Sequence, residues 1–132
     1  MKVLVDTSVW SLSFRKGGPA DVAAVHKLIH LLEGGEDVVL TGLIFQEVLQ
    51  AFRTETALRK MARYFEPFDF LELDRDDYLA AARIHRRCAG RGVVTSTVDC
   101  QIAAAAIRND CALLTTDRDF ERIARLSDLE LL

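Results

Sequence analysis

Two aspartates follow apolar segments of strand length. Asp6 comes directly after residues 2–5, and Asp117 follows residues 112–116. A carboxylate next to a buried strand must be paired, bind a cation or face a cleft, because an isolated buried charge is costly. Each residue has a simpler alternative role as a cap of the helix that follows it.

Two further acids lie inside segments of helical period. Glu47 comes four residues after Leu43 and three after Ile44, which places it within an apolar stripe. Asp99 precedes Ile102 and Ala103 by three and four residues, so its carboxylate also points toward the face that packs. Asp99 could instead complement a helix dipole. Capping does not explain acids on apolar helix faces.

Asp6, Glu47, Asp99 and Asp117 therefore form a candidate acidic cluster. Neighbouring carboxylates repel one another and take up protons unless a cation neutralises them. All-oxygen ligands select a hard ion such as Mg²⁺, with Mn²⁺ as a substitute. Such an ion activates water and stabilises charge on a phosphoryl group. The cluster thus indicates metal-dependent hydrolysis of a phosphodiester.

The elements that would carry these acids alternate between strands and helices. This order favours a three-layer α/β domain with a parallel sheet, in which ligands bind beyond the carboxyl ends of the strands. The predicted strands are 2–6, 37–41, 68–73, 111–115 and 129–132. The predicted helices are 19–33, 43–53, 56–64, 76–89, 98–108 and 118–125, with a further helix starting near Thr7.

Length and composition predict a single domain spanning residues 1–132, since only seven glycines and two prolines leave no evident linker. No segment approaches the roughly 20 apolar residues that span a bilayer. The N-terminus shows no secretion signal, which predicts a cytoplasmic protein without membrane contact. Cys88, Cys100 and Cys111 are expected to be small core residues rather than a disulfide framework.

The net charge of −3 argues against binding nucleic acid by bulk electrostatics. The distribution of charge along the chain still permits a polyanionic substrate. Arg83, Arg86 and Arg87 form a basic ridge on a predicted helix and could contact RNA phosphates. Solvation of that helix face is the alternative. Part of the region from Trp10 to Arg63 has more apolar residues than one core face requires, which predicts a protein-binding groove there.

The motifs together resemble one known family. Val5-Asp6-Thr7-Ser8, Glu47, Val98-Asp99-Cys100-Gln101-Ile102-Ala103 and Leu114-Thr115-Thr116-Asp117-Arg118-Asp119-Phe120 occur in the order found in PIN-domain ribonucleases. The length and spacing look most like VapC-type toxins of toxin-antitoxin pairs. The resemblance covers almost the whole chain.

The resemblance implies a magnesium-dependent endoribonuclease that cuts structured RNA such as tRNA or rRNA. In it, Asp6, Asp99 and Asp117 would bind the metal, Glu47 would complete the catalytic set, Ser8 and Thr116 would be supporting hydroxyls, and Asp119 a further acid. It also implies a five-stranded parallel sheet of order 3-2-1-4-5, a homodimer and a small antitoxin partner.

Two other functions fit parts of the sequence. A receiver-like phosphoacceptor domain shares the size, the parallel sheet and an acidic magnesium pocket, and Leu73-Asp74 could mimic its acceptor strand. It is disfavoured because Asp6 is followed by Thr7 rather than by a second acid, and because the last lysine is Lys60. A non-catalytic PIN-fold module that binds RNA is disfavoured by the complete set of four acids.

Overall fold

A parallel sheet forms the centre of the structure, a computed structural model that describes residues 1–15 and 22–132. Within those residues the sheet has four strands in the order β3-β2-β1-β4, and every neighbouring pair is parallel. The strands are β1 (Lys2–Val5), β2 (Asp37–Thr41), β3 (Asp69–Leu71) and β4 (Ala112–Leu114).

Seven helices in the described part of the chain cover the sheet. They are α1 (Thr7–Ser13), α2 (Val22–Glu33), α3 (Gly42–Gln50), α4 (Glu55–Tyr64), α5 (Arg75–Ala89), α6 (Thr97–Arg108) and α7 (Asp119–Arg125). The predicted opening of a helix at Pro19 to Asp21 lies outside the described residues. None of the described helices has the length and apolar character needed to cross a membrane.

The central strand β1 has no solvent-exposed apolar side chain. Val3, Leu4 and Val5 are completely buried, as expected for a parallel strand with helices on both faces. Its register pairs Val5 with Leu114 of β4 and Leu4 with Val39 of β2. The carboxyl ends of β1 and β4 therefore lie side by side.

The prediction of a fifth strand at residues 129–132 is wrong. Residues 129–132 contribute one parallel bridge, between Leu131 and Leu113, with the Leu132 N–H donating to the Leu113 carbonyl at 2.9 Å. This bridge lies beside β4, where the fifth strand was expected, and the other four strands follow the expected order. The side chains of Leu131 and Leu132 are exposed, so little apolar burial holds a longer strand in place.

Predicted strand and helix limits shift by a few residues. The strand expected at 68–73 is reduced to β3, and Asp74, which follows the expected strand, caps α5. Its carboxylate accepts a hydrogen bond from the Asp77 N–H, and the Asp77 carboxylate accepts one from the Asp74 N–H. Leu73-Asp74 is thus a helix start with a reciprocal capping box, and not a phosphoacceptor strand.

An aromatic cluster beneath α1 centres on Trp10. The Trp10 side chain is fully buried, and its Nε1–H donates to the Val5 carbonyl at 3.1 Å. The rings of Phe65 and Phe68 meet the indole edge-on at centroid distances of 4.9 and 5.6 Å. Trp10 is therefore a core residue and contributes no exposed side chain to the protein-binding groove predicted between Trp10 and Arg63.

Helix α6 packs against α5 and also contacts β4. Four consecutive alanines of α6, residues 103–106, are completely buried, and small side chains let neighbouring elements approach closely. At the other end of α6, Arg108 Nε donates to Asp77 Oδ1 at 2.7 Å. Cys88 and Cys100 are buried in this layer and Cys111 precedes β4, all with free thiols, as expected for core residues.

Candidate active site

The candidate site lies at the carboxyl ends of β1 and β4. The Asp6 N–H donates to the Leu114 carbonyl at 2.9 Å, which extends the β1–β4 pairing to the first acidic residue. Asp117 follows β4 by three residues. The sheet topology thus brings together two residues that are more than a hundred positions apart in sequence.

Asp6 is nearly buried, with 6% of its surface exposed. It occupies the N-cap position of α1, but its side chain makes no capping hydrogen bond. Instead, Asp6 Oδ2 accepts hydrogen bonds from Ser8 Oγ at 3.0 Å and from Thr115 Oγ1 at 2.8 Å. Capping of α1 therefore does not explain this carboxylate.

Main-chain N–H groups hold both of these hydroxyls. The Thr116 N–H donates to Ser8 Oγ at 3.1 Å, and the Asp117 N–H donates to Thr115 Oγ1 at 3.0 Å. The family resemblance implied Ser8 and Thr116 as supporting hydroxyls. Ser8 does donate to Asp6, but Thr116 contacts Ser8 through its main chain, and the second hydroxyl on Asp6 belongs to Thr115. The only signal for Thr115 was its place one residue closer to the strand.

Three carboxylates converge beside this network. One carboxylate oxygen from each of Asp99, Asp117 and Asp119 lies within 4.8 Å of the other two. Asp99 reaches this place because α6 starts there, with Ser96 as its N-cap accepting from the Asp99 N–H at 3.0 Å. We call these three residues the acidic trio.

Burial and neighbouring charge disfavour the ionised form of Asp99. Desolvation is the main cause, and the carboxylates of Asp117, Asp6 and Asp119 add to it, so that the pKa of Asp99 rises to about 6 despite the Ser96 hydrogen bond. Asp6 lies outside the acidic trio, but its charge reaches Asp99. The arrangement concentrates negative charge that a cation would neutralise.

Asp117 also contributes to the start of α7. Its Oδ1 accepts from the Asp119 N–H at 2.9 Å, which is the kind of helix-start hydrogen bond that the capping alternative anticipated. Asp117 therefore combines a local structural contact with membership in the acidic trio. The helix it starts places the Asp119 carboxylate next to its own.

Glu47 differs from its expected environment. Helix α3 packs through Ile44 and Val48, and Glu47 is exposed, so the interpretation of a glutamate on the buried face is wrong. Glu47 lies beside the apolar stripe of α3 and not within it. Thr7 Oγ1 donates to Glu47 Oε1 at 3.0 Å, which connects Glu47 to the residue after Asp6.

The family model of the PIN domain matches residues 3–126. The chain belongs to the PIN-domain family. Two relatives, VapC ribonuclease Mb1587 of Mycobacterium bovis and Ribonuclease VapC11 of Mycobacterium tuberculosis, are each 32% identical to it over 130 residues. The alignment covers 97% of this chain and 96% of each relative. This PIN domain is thus a ribonuclease of the VapC group.

Solved structures show the same PIN fold. The VapBC2 structure of Rickettsia felis, bound to a promoter DNA fragment, matches with a TM-score of 0.78 at 13% identity, covering 100% of this chain and 98% of the other. VapBC-1 of nontypeable Haemophilus influenzae also has a TM-score of 0.78, at 18% identity, covering 100% and 97%. Membership in this family removes the receiver-like alternative.

The donor set of this PIN domain fits a hard divalent cation. All candidate ligands are carboxylate oxygens, which hard divalent cations prefer to nitrogen or sulfur ligands. The pKa of Asp99 is raised chiefly by burial, and the neighbouring carboxylates of Asp117, Asp6 and Asp119 raise it further. The candidate ligands are therefore the acidic trio together with Asp6.

Proposed function

We propose that the protein is a magnesium-dependent endoribonuclease, the toxin of a toxin-antitoxin pair, that hydrolyses phosphodiester bonds in structured RNA such as tRNA or rRNA. The observation that carries this proposal is the convergence of Asp99, Asp117 and Asp119 beside Asp6. Mn²⁺ is a chemically equivalent substitute. In this proposal the chain acts as one domain in the cytoplasm.

The acidic residues of the site have different proposed roles. Asp6, Asp99 and Asp117 would hold the cation, with Asp119 as a further acid. When bound, Mg²⁺ supplies activation of water and neutralisation of charge on the phosphate. Glu47 stands at the solvent-exposed edge, fixed by Thr7, where its carboxylate can orient a water molecule.

The basic ridge on α5 separates into two surfaces. Arg83 and Arg87 line a cavity of about 160 Å³ together with Arg108 of α6, and Asp128 contributes one opposing charge. Arg86 lines a different cavity, of about 410 Å³, with residues of the first turn of α6. All three arginines of the ridge are exposed. We propose that all three arginines contact RNA phosphates, Arg83 and Arg87 from one surface and Arg86 from the other.

The proposed partners are a small antitoxin and a second copy of the chain. Chains from solved VapBC structures share the fold of this protein, which supports an antitoxin partner. Within the region from Trp10 to Arg63, the partly exposed Phe45 and Phe52 remain candidates for the antitoxin groove. Antitoxin binding that survives Phe45→Ser and Phe52→Ser in a protein with an unchanged melting temperature would reject this groove.

The decisive experiment is cleavage of total cellular RNA by purified, antitoxin-free protein. We expect cutting with Mg²⁺, no cutting with a chelator, and loss of cutting in Asp6→Asn and Asp99→Asn. Glu66→Gln serves as the matched control, because Glu66 is exposed and lies outside the site. Mapping the cut ends identifies the RNA. A folded wild type that cuts no RNA with either Mg²⁺ or Mn²⁺ would refute the proposal.

A further inference from the structure

A pair of hydroxyl groups fixes the orientation of the Asp6 carboxylate. The hydroxyls of Ser8 and Thr115 both donate to the same oxygen, Oδ2, and their own oxygens lie 3.4 Å apart. Among the described residues, the side-chain hydrogen bonds to this carboxylate all end on Oδ2. The other oxygen, Oδ1, accepts neither of these hydrogen bonds.

Each hydroxyl has one hydrogen, and the surrounding main chain determines where it points. Ser8 Oγ accepts the Thr116 N–H, and Thr115 Oγ1 accepts the Asp117 N–H. A hydroxyl that accepts from a main-chain donor directs its single hydrogen to another acceptor, which here is Asp6 Oδ2. Two main-chain N–H groups are therefore connected to one carboxylate oxygen through two side chains.

The two hydroxyls differ in what they hold together. Ser8 lies two residues after Asp6 on the same segment, so its hydrogen bond moves with Asp6. Thr115 is 109 residues away, at the end of β4, and directly precedes the segment that carries Asp117. Its hydroxyl contacts the Asp6 carboxylate and the Asp117 main chain at once. Thr115 is also β-branched, which restricts rotation of its side chain.

We propose that Thr115 is a positioning residue for cation binding. Its hydroxyl fixes Asp6 relative to Asp117, so that Asp6 Oδ1 is presented to the acidic trio. This inference rests on the proposed function in that it assigns the acids to a cation. Residues that orient metal ligands without touching the metal commonly change metal affinity by about 10–100-fold when they are lost.

The test compares three variants by Mn²⁺ titration calorimetry and by RNA cleavage kinetics. Thr115→Val keeps the shape and removes the hydroxyl, whereas Thr115→Ser keeps the hydroxyl. Thr56→Val is the matched control, since Thr56 is exposed on α4. We expect Thr115→Val to weaken the Mn²⁺ affinity by about 10–100-fold and to lower kcat without raising KM for RNA. We expect Thr115→Ser to restore both values to within a few-fold of the wild type, and Thr56→Val to match it.

The melting temperature of each variant in chelator shows whether the metal-free protein is folded, which separates a loss of positioning from a loss of stability. Thr115→Val that binds Mn²⁺ like the wild type would overturn the proposal, and so would a Thr115→Ser variant as defective as Thr115→Val. If Thr115→Val does not fold, the Mn²⁺ affinities of Thr115→Ser and Ser8→Ala are compared instead. An equal loss of Mn²⁺ affinity in these two variants overturns a specific role for Thr115. A wild type whose Mn²⁺ affinity depends on the Thr115 hydroxyl but that cuts no RNA refutes only the nuclease proposal.

Discussion

Asp99→Asn is expected to raise the stability of the metal-free protein above neutral pH while abolishing its activity. The folded state raises the pKa of Asp99 to about 6 from an ordinary value of 3.8, chiefly by burial and then by the carboxylates of Asp117, Asp6 and Asp119. The folded state therefore binds the Asp99 proton more tightly than the unfolded state does. This contribution to stability is fully present below the unfolded pKa and is lost as pH rises through about 6.

The size of the effect follows from the shift. Two pKa units correspond to about 3 kcal/mol for a group isolated from solvent. Asp99 is only partly buried, so solvent screening reduces the expected loss to about 1 kcal/mol. For a chain of this length, that is a change of about 4 °C in melting temperature. Asparagine carries no charge and avoids the loss.

The assay is thermal unfolding in chelator at pH 5 and pH 8, followed by circular dichroism. The melting temperature of Asp99→Asn should exceed that of the wild type at pH 8 by about 4 °C, and the difference should shrink at pH 5. Glu66→Gln, at an exposed site, should show no such dependence. Adding Mg²⁺ should stabilise the wild type more than Asp99→Asn. An Asp99→Asn variant no more stable than the wild type at pH 8 would refute the argument that burial and neighbouring carboxylates penalise the ionised form of Asp99.

Three further outcomes are expected. Asp77→Ala removes the buried end of an ion pair to α6 and half of a capping box, so urea unfolding should show a loss of about 2 kcal/mol; an unchanged midpoint would contradict this. Trp10→Phe loses a buried hydrogen bond to β1 and leaves a void, so the free energy of unfolding measured in guanidinium should fall by about 2 kcal/mol. An unchanged free energy of unfolding would show that the indole is not needed for stability. Arg83→Gln with Arg87→Gln should lower the salt-dependence slope of RNA affinity by about 1 per lost phosphate contact, while Arg59→Gln on α4 should not. A slope equal to that of the wild type would remove these arginines from the RNA surface.

The order of strands and helices and the places of the acids followed from local patterns. A short apolar run that ends in a carboxylate is readable as a buried strand with a polar end, as in β1 with Asp6. Parallel strands require crossovers, which put those ends on one edge of the sheet. That Asp6 meets the segment of Asp117 was implied only by the family resemblance, whose strand order 3-2-1-4-5 makes the first and fourth strands neighbours, and the structure confirms that adjacency.

Local patterns failed where the answer depends on which neighbour a face meets. Glu47 lies beside an apolar stripe, and only the packing of α3 through Ile44 and Val48 shows that it is exposed. Trp10 could have been surface or core, and its burial on the inner face of α1 among other aromatic rings decided it. The terminal residues 129–132 have the composition of a strand but make a single bridge.

The sequence by itself determined the residue types of the site and the strands and helices that carry them, because hydrophobic period and strand-end position are local properties. Only the tertiary structure decided which groups meet. Neighbouring residues in an extended segment point in opposite directions, so the choice between the hydroxyls of Thr115 and Thr116 depends on how β4 lies against Asp6. The approach of Asp119 to Asp99 likewise depends on where α6 and α7 start, which is set by packing between distant segments.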